Sequence, residues 1–357
     1  MPFASPSLRR AALSAALLLA ATGCGAREDS APEAEPPGAA PEEQEVGFDS
    51  GPDTLHGTLA VPRGADGPVP AALIISGSGP TDRDGDNPMR PDAGTNENFA
   101  RVLADNGVAS LRYDKLGSGE TGMGGRDEDT PVGYDVFEQG MADAYAFLAD
   151  RPEVDPERLL VLGHSEGALF ALRAPAVAGD HPPAALVLAA PPGGRYLDTL
   201  DRQLTDQVRL QESAGALDPA GAEDLLSDAR YAISEVRAGS DLDPDPAPEL
   251  GGVFSPSVAP FLREIDALDP VELGRGLPEG VATLVLWGEA DTQVAREDVD
   301  RLMTGLPDAE RVDVPDADHV FRVQDDAPGA AVLDADRPFA PGTAEALADF
   351  LPAALDR

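Results

Sequence analysis

The sequence predicts an α/β fold: a mainly parallel, doubly wound sheet carrying an inserted helical cap. Three observations lead there. From Val46 onward, short apolar runs alternate with stretches of helical periodicity. The runs are apolar throughout, as expected of strands covered on both faces. Between the runs Ala185–Ala189 and Ala282–Trp287 lie about ninety residues, far more than a strand-to-helix connection needs.

In chain order, Arg9 and Arg10 precede the apolar run Ala11–Ala21, too short to span a bilayer and followed by Thr22-Gly23-Cys24. Residues 1–23 read as an export leader. Cys24 is the only cysteine, so no internal disulfide is possible. Directly after such a run it resembles the Cys that becomes the lipidated N-terminus of a bacterial lipoprotein, although Ala21 stands where Leu is more usual. The expected location is therefore outside the cytoplasm, anchored to the cell membrane through Cys24, with simple secretion as the alternative. Residues 24–45, rich in Ala, Pro and Glu without aromatic residues or periodicity, read as a disordered tether.

The domain is expected over 46–357. Thr54–Val61 has strand character and stops at Pro62, and Ala71–Ser76 is an apolar strand entering a glycine-rich turn. Asn98–Asn106 reads as a helix ended by Gly107, and Val108–Tyr113 as a strand. A helix over Tyr134–Ala149 leads to the strand Leu159–Leu162. Ala185–Ala189, Ala282–Trp287 and the short Glu310–Val314 complete the strands. In the long intervening segment, Arg195–Ala214 and Pro219–Arg237 carry helical periodicity and Asp241–Pro248 is a Pro/Asp-rich loop. The segment 195–269 is the expected cap.

Composition excludes some functions. The formal net charge is −39, from 65 acidic against 26 basic residues. Nucleic acid and anionic membrane surfaces are poor partners for such a chain, because phosphate contacts need cationic side chains. No apolar run after the leader is long enough for a membrane span either.

The chemistry concentrates at Leu159-Leu-Val-Leu-Gly163-His-Ser165-Glu-Gly167, a strand followed by Gly-x-Ser-x-Gly and a helix start. This is the pattern of a nucleophile elbow, in which a tight turn projects Ser165 Oγ outward and the glycines let strand and helix crowd together. The Glu166 N–H, at the helix start, is free to donate to an oxyanion. A serine hydroxyl needs a base, itself oriented by an acid, and elbow proteins carry them in the order Ser, acid, His. Of four histidines, His56 and His164 precede Ser165, and His181 sits in a turn with no acid-bearing strand ahead of it. His319, in the loop after Glu310–Val314, remains as the base. Asp291, in the loop leaving Leu284–Trp287, is the expected acid, with Glu289 and Asp198 as rivals. The second oxyanion donor is expected to be the Ser78 N–H, in Ser76-Gly-Ser-Gly-Pro80. The acidic run from Asp82 to Asn87 is not a calcium loop of the EF-hand type, because Asn87 and Ala93 stand where Gly and Glu are required. It reads as a loop ordered by Asx turns and an Arg83 ion pair, and no metal or cofactor is implied.

These segments together resemble the α/β-hydrolase superfamily, and within it a group of bacterial exported serine hydrolases with esterase-type members. The resemblance rests on Ser76-Gly-Ser-Gly-Pro-Thr-Asp-Arg-Asp-Gly85, Leu111-Arg-Tyr-Asp-Lys115, Gly163–Gly167, Phe254–Leu262, Leu286–Val294 and Asp318-His-Val320. It implies a Ser165–Asp291–His319 triad and places Phe254–Leu262 in the cap or at its hinge. Leu116 departs from the Arg common after Tyr-Asp-x in such proteins. The expected activity is hydrolysis of small carboxylic esters through an acyl-enzyme. One alternative is an aminopeptidase of the proline-iminopeptidase type, with cap acids such as Glu212 or Glu223 holding a free amino terminus. The other is a non-catalytic binding protein on the same scaffold.

Overall fold

The computed structural model describes residues 40–127, 129–327 and 330–356. The leader and Cys24 lie outside the described residues. Eight strands form one sheet: β1 (Glu42–Ser50), β2 (Asp53–Val61), β3 (Val69–Ile75), β4 (Ala109–Tyr113), β5 (Val154–His164), β6 (Ala185–Ala189), β7 (Ala282–Gly288) and β8 (Glu310–Val314). Their order is β1-β2-β4-β3-β5-β6-β7-β8. The β1–β2 and β2–β4 pairs are antiparallel and the remaining pairs parallel.

Because successive side chains of a strand point to opposite faces, the apolar runs split between two cores. Leu73, Ile75, Leu159, Val161, Leu186 and Leu188 face helices α2 (Tyr134–Ala149) and α3 (Gly167–Val177). Their neighbours Ala72, Ile74, Leu160, Leu162 and Val187 face α1 (Thr95–Asp105) and the C-terminal helix Pro341–Leu355. Burial on both sides explains why these strands show no polar alternation.

The structure corrects one boundary. The tether was expected to run to Glu45, but β1 already begins at Glu42. The edge of β2 would otherwise present an unpaired row of backbone groups, and β1 covers it. Its acidic side chains reach basic neighbours: Glu43 accepts from Arg112 and Glu45 from Arg83. A charged sequence here serves an exposed edge strand.

Between β6 and β7 come four helices, α4 (Tyr196–Ser213), α5 (Pro219–Ala238), α6 (Ala259–Asp266) and α7 (Pro270–Arg275). The first three share a small core of their own around Leu197, Ile233, Val236, Phe254 and Leu262. No helix among the described residues is long and apolar enough to cross a membrane.

Candidate active site

The elbow between β5 and α3 is held by crowding. A Cβ on Gly163 would lie 2.1 Å from the Gly167 carbonyl oxygen, and one on Gly167 would lie 2.3 Å from that of Ile75. Only glycine fits at either place. Between them Ser165 adopts φ 53°, a left-handed conformation that costs a non-glycine residue about 1–3 kcal/mol and persists only where its surroundings enforce it. Its N–H donates to the Ala189 carbonyl at 2.8 Å, tying the turn to β6.

His319 stands in the loop after β8, and its Nδ1 is 2.8 Å from Asp291 Oδ2 in the loop after β7. The Asp291 side chain is fully enclosed, and its other oxygen accepts from the Gln293 and Val294 N–H groups at 2.7 and 2.9 Å. The two rivals are elsewhere: half-exposed Glu289 faces Arg296, and exposed Asp198 pairs with Arg237. Among the described residues Ser165 Oγ has no hydrogen bond to His319, a contact that in enzymes often tightens only when substrate is bound.

Two residues outside the expected set hold the histidine loop. His164 donates Nε2–H to the His319 carbonyl at 2.8 Å, the tautomer being fixed because a carbonyl can only accept. Burial, then the neighbouring His319, press His164 down to about 3, so it works as a neutral donor. Asp318 accepts from the Val320 and Arg322 N–H groups with one oxygen and from Arg90 and Arg337 with the other. Burial pushes its carboxyl up, but the hydrogen bonds from Arg337 and Arg90 outweigh that and leave it below the usual range.

Ser78, Ser165 and Glu166 line one cavity of about 40 Å³, roofed by Tyr196, Leu200 and Gln203 of α4. Within the described residues no acceptor takes the Ser78 or Glu166 N–H. Glu166 also lines a second cavity of about 320 Å³, whose apolar walls include Leu116, Met123, Val132, Phe137 and Phe261. The acidic run is ordered as a turn, with Asp82 Oδ1 accepting from the N–H groups of Asp84, Gly85 and Asp86 and Arg83 bonded to Asp114. No group of His, Cys, Asp and Glu among the described residues could hold a metal ion.

The family model "Serine aminopeptidase, S33" matches residues 90–209, which include the elbow. Among solved structures, the α/β hydrolase GrgF from Penicillium sp. sh18 superposes with TM-score 0.56 at 17% identity, covering 88% of this chain and all of that one. The chain has the α/β-hydrolase fold. Est1E from Butyrivibrio proteoclasticus gives TM-score 0.54 at 15% identity over 88% of this chain and 99% of its own. The proline iminopeptidase of Mycobacterium smegmatis gives 0.55 at 14% over 87% and 98%. Esterase EstD of Thermotoga maritima is 28% identical over 264 residues, 73% of this chain and 55% of that protein. The chain thus spans about half the length of this curated relative.

What sequence reasoning missed in this site is a buried cation. Lys115 Nζ, behind the elbow, donates to the Gly77 carbonyl and to Glu166 Oε1, both at 2.8 Å. Tyr196 donates to Glu166 Oε2, also at 2.8 Å. Burial, then the charge of Glu166, keep the Tyr196 phenol well above its ordinary value, so it remains a donor. A signal was present in the composition, since Lys115 is the only lysine in the chain.

Proposed function

We propose that the chain is a serine hydrolase acting on small carboxylic esters. The observation that carries this reading is the enclosed Asp291–His319 hydrogen bond in the loops beside the strained Ser165 elbow. Asp291 accepts the proton-bearing Nδ1 of His319, which leaves Nε2 free to act as a base. Ser165 Oγ attacks the ester carbonyl carbon while its proton passes to His319. The Ser78 and Glu166 N–H groups receive the negative oxygen, a contribution worth about 10²–10³ in rate per donor. Collapse of the tetrahedral intermediate expels the alcohol oxygen, which takes the proton from His319. Water then repeats the sequence on the acyl-enzyme, giving the acid and free Ser165.

The cavities support ester over aminopeptide chemistry. An aminopeptidase needs a carboxylate for the free amino terminus, and Glu166 is the only acid among the described residues that line either cavity. Its charge is already taken by Lys115 and Tyr196. Glu212 and Glu223, the cap acids considered for that role, pair instead with Arg209 and line neither cavity. The small cavity suits a short substituent at the carbonyl and the larger one an apolar group.

The test is labelling of the purified chain with a fluorophosphonate, followed by peptide mapping and a panel of p-nitrophenyl esters against aminoacyl anilides. Label on Ser165, lost in His319→Ala, with ester turnover is the expected result. A folded protein without label would favour the binding-protein alternative, and anilide turnover alone would favour the peptidase. We further propose export and anchoring through Cys24, on the strength of the leader and its flanking residues. Metabolic labelling with a palmitate analogue that survives in Cys24→Ser would overturn that.

A further inference from the structure

Lys115 is buried, with 6% of its side chain exposed, and its ammonium has three kinds of partner. They are a carbonyl, a carboxylate and the face of Phe170, whose centroid is 5.7 Å away. Partners spread in three directions suit the tetrahedral ammonium and not the flat fork of Arg, the basic residue used everywhere else in this chain.

The carbonyl is the informative one. The Gly77 C=O and the Ser78 N–H are opposite ends of a single planar peptide unit. A cation hydrogen-bonded to the oxygen end fixes the plane of that unit and draws electron density from its nitrogen end, strengthening the N–H as a donor. The same ammonium holds the side chain of Glu166, whose own N–H is the other oxyanion donor. Tyr196, the first residue of α4, bonds the far oxygen of that carboxylate.

We propose that Lys115 is a positioning residue that sets both oxyanion donors at once, and that Tyr196 links this setting to the seating of the cap. The inference rests on the ester-hydrolase reading above. It accounts for a lone lysine buried between the Gly77–Ser78 turn and the Ser165 elbow, which share no other ion pair among the described residues, and it makes the first turn of the cap part of the machinery for stabilising the oxyanion.

Lys115→Met tests it, alongside Lys115→Met/Glu166→Gln, in which no uncompensated carboxylate is left buried, and Lys115→Arg. Three quantities are read: turnover of p-nitrophenyl acetate, affinity for phenylboronic acid, and amide hydrogen exchange around Gly77–Gly79 and Ser165–Gly167. In both Met variants kcat falls by roughly 10–100-fold with KM within about threefold, since the interaction matters in the transition state. Boronate affinity falls by a similar factor, because its tetrahedral adduct places an oxygen between the same donors. Exchange at Ser78 accelerates, Lys115→Arg does not rescue kcat, and Tyr196→Phe gives a smaller loss in the same direction. A folded double variant with wild-type kcat and boronate affinity overturns the proposal. If the wild-type chain neither hydrolyses esters nor binds boronate, the ester-hydrolase reading fails by itself. Unchanged Ser78 exchange in the Met variants then overturns the role of Lys115 as well, and accelerated exchange upholds it.

Discussion

The sheet and the cap are held by different forces. Strand residues such as Leu73, Leu160, Val187 and Leu286 are completely buried, and the candidate catalytic residues follow the ends of β5, β7 and β8. The cap adds to a small apolar core of its own, and to Ile265 and Phe261 packed on the main core, a set of ion pairs within itself and to its surroundings. Asp266, itself buried, accepts from Arg195, Arg237 and the Leu197 N–H. Arg202 pairs with Asp298 and Arg301 with Asp269. Apolar burial is not screened by salt and some salts strengthen it, whereas ion pairs, particularly exposed ones, weaken with ionic strength. On the hydrolase reading proposed above, the comparison teaches where to look for each property: chemistry in the sheet's loops, substrate choice and its adjustability in the cap.

Changes on the sheet side should strike kcat. Asp291→Asn removes the acceptor that fixes the His319 tautomer and should lower kcat by about 10³–10⁴ without unfolding the chain. Ester kinetics beside a thermal melt would check this, and near-normal turnover would mean another acid orients His319. Asp318→Asn leaves Arg90 and Arg337 facing each other across a neutral group, so a stability loss of about 3 kcal/mol is expected by denaturant titration, with a drop in kcat as the histidine loop loosens. A variant as stable as wild type would show that Asp334 alone suffices for the two arginines.

His164 sharpens the comparison through pH. Its folded value of about 3 lies below the 6.5 of an exposed imidazole, so the unfolded chain gains a proton that the folded chain refuses. Its contribution to stability is complete above about pH 6.5 and is lost as pH falls toward 3, at about 1.4 kcal/mol per pH unit. His164→Gln keeps a donor for the His319 carbonyl but cannot titrate. The difference between the wild-type and variant stability slopes from pH 6 to 4 isolates this group, and equal slopes would refute it. On the cap side, Phe261→Ala should raise KM for esters with a bulky apolar group by about tenfold and leave kcat for an acetyl ester little changed. A kcat effect there would break the division between the two regions.

The legible parts of the fold were those dictated by local rules. Unbroken apolar runs announced the buried strands, and Gly163 and Gly167 announced the elbow because their crowding is a property of adjacent residues. Asp291 and His319 could be placed because chain order constrains them once the nucleophile is known. β1 was hidden in part, since Glu42–Glu45 looks like solvated tether until the edge it covers is seen. The sequence likewise offered no sign that His164 braces the His319 loop, a contact spanning 155 residues of separation. Lys115 and Glu166, 51 residues apart, meet only because β4 and β5 flank β3. Long-range pairing of this kind leaves no local pattern.

The solitary lysine has a consequence for handling the molecule. Amine-reactive reagents usually decorate a protein surface at many sites, but this chain has one side-chain amine and it is buried. Coupling to supports or dyes is better directed at the abundant carboxylates. Acylation of Lys115 instead becomes a clock: it can proceed only when the loops around Ser165 part, so its rate reports how often the site opens. The mass increment on the Lys115 peptide would then time the breathing of this site.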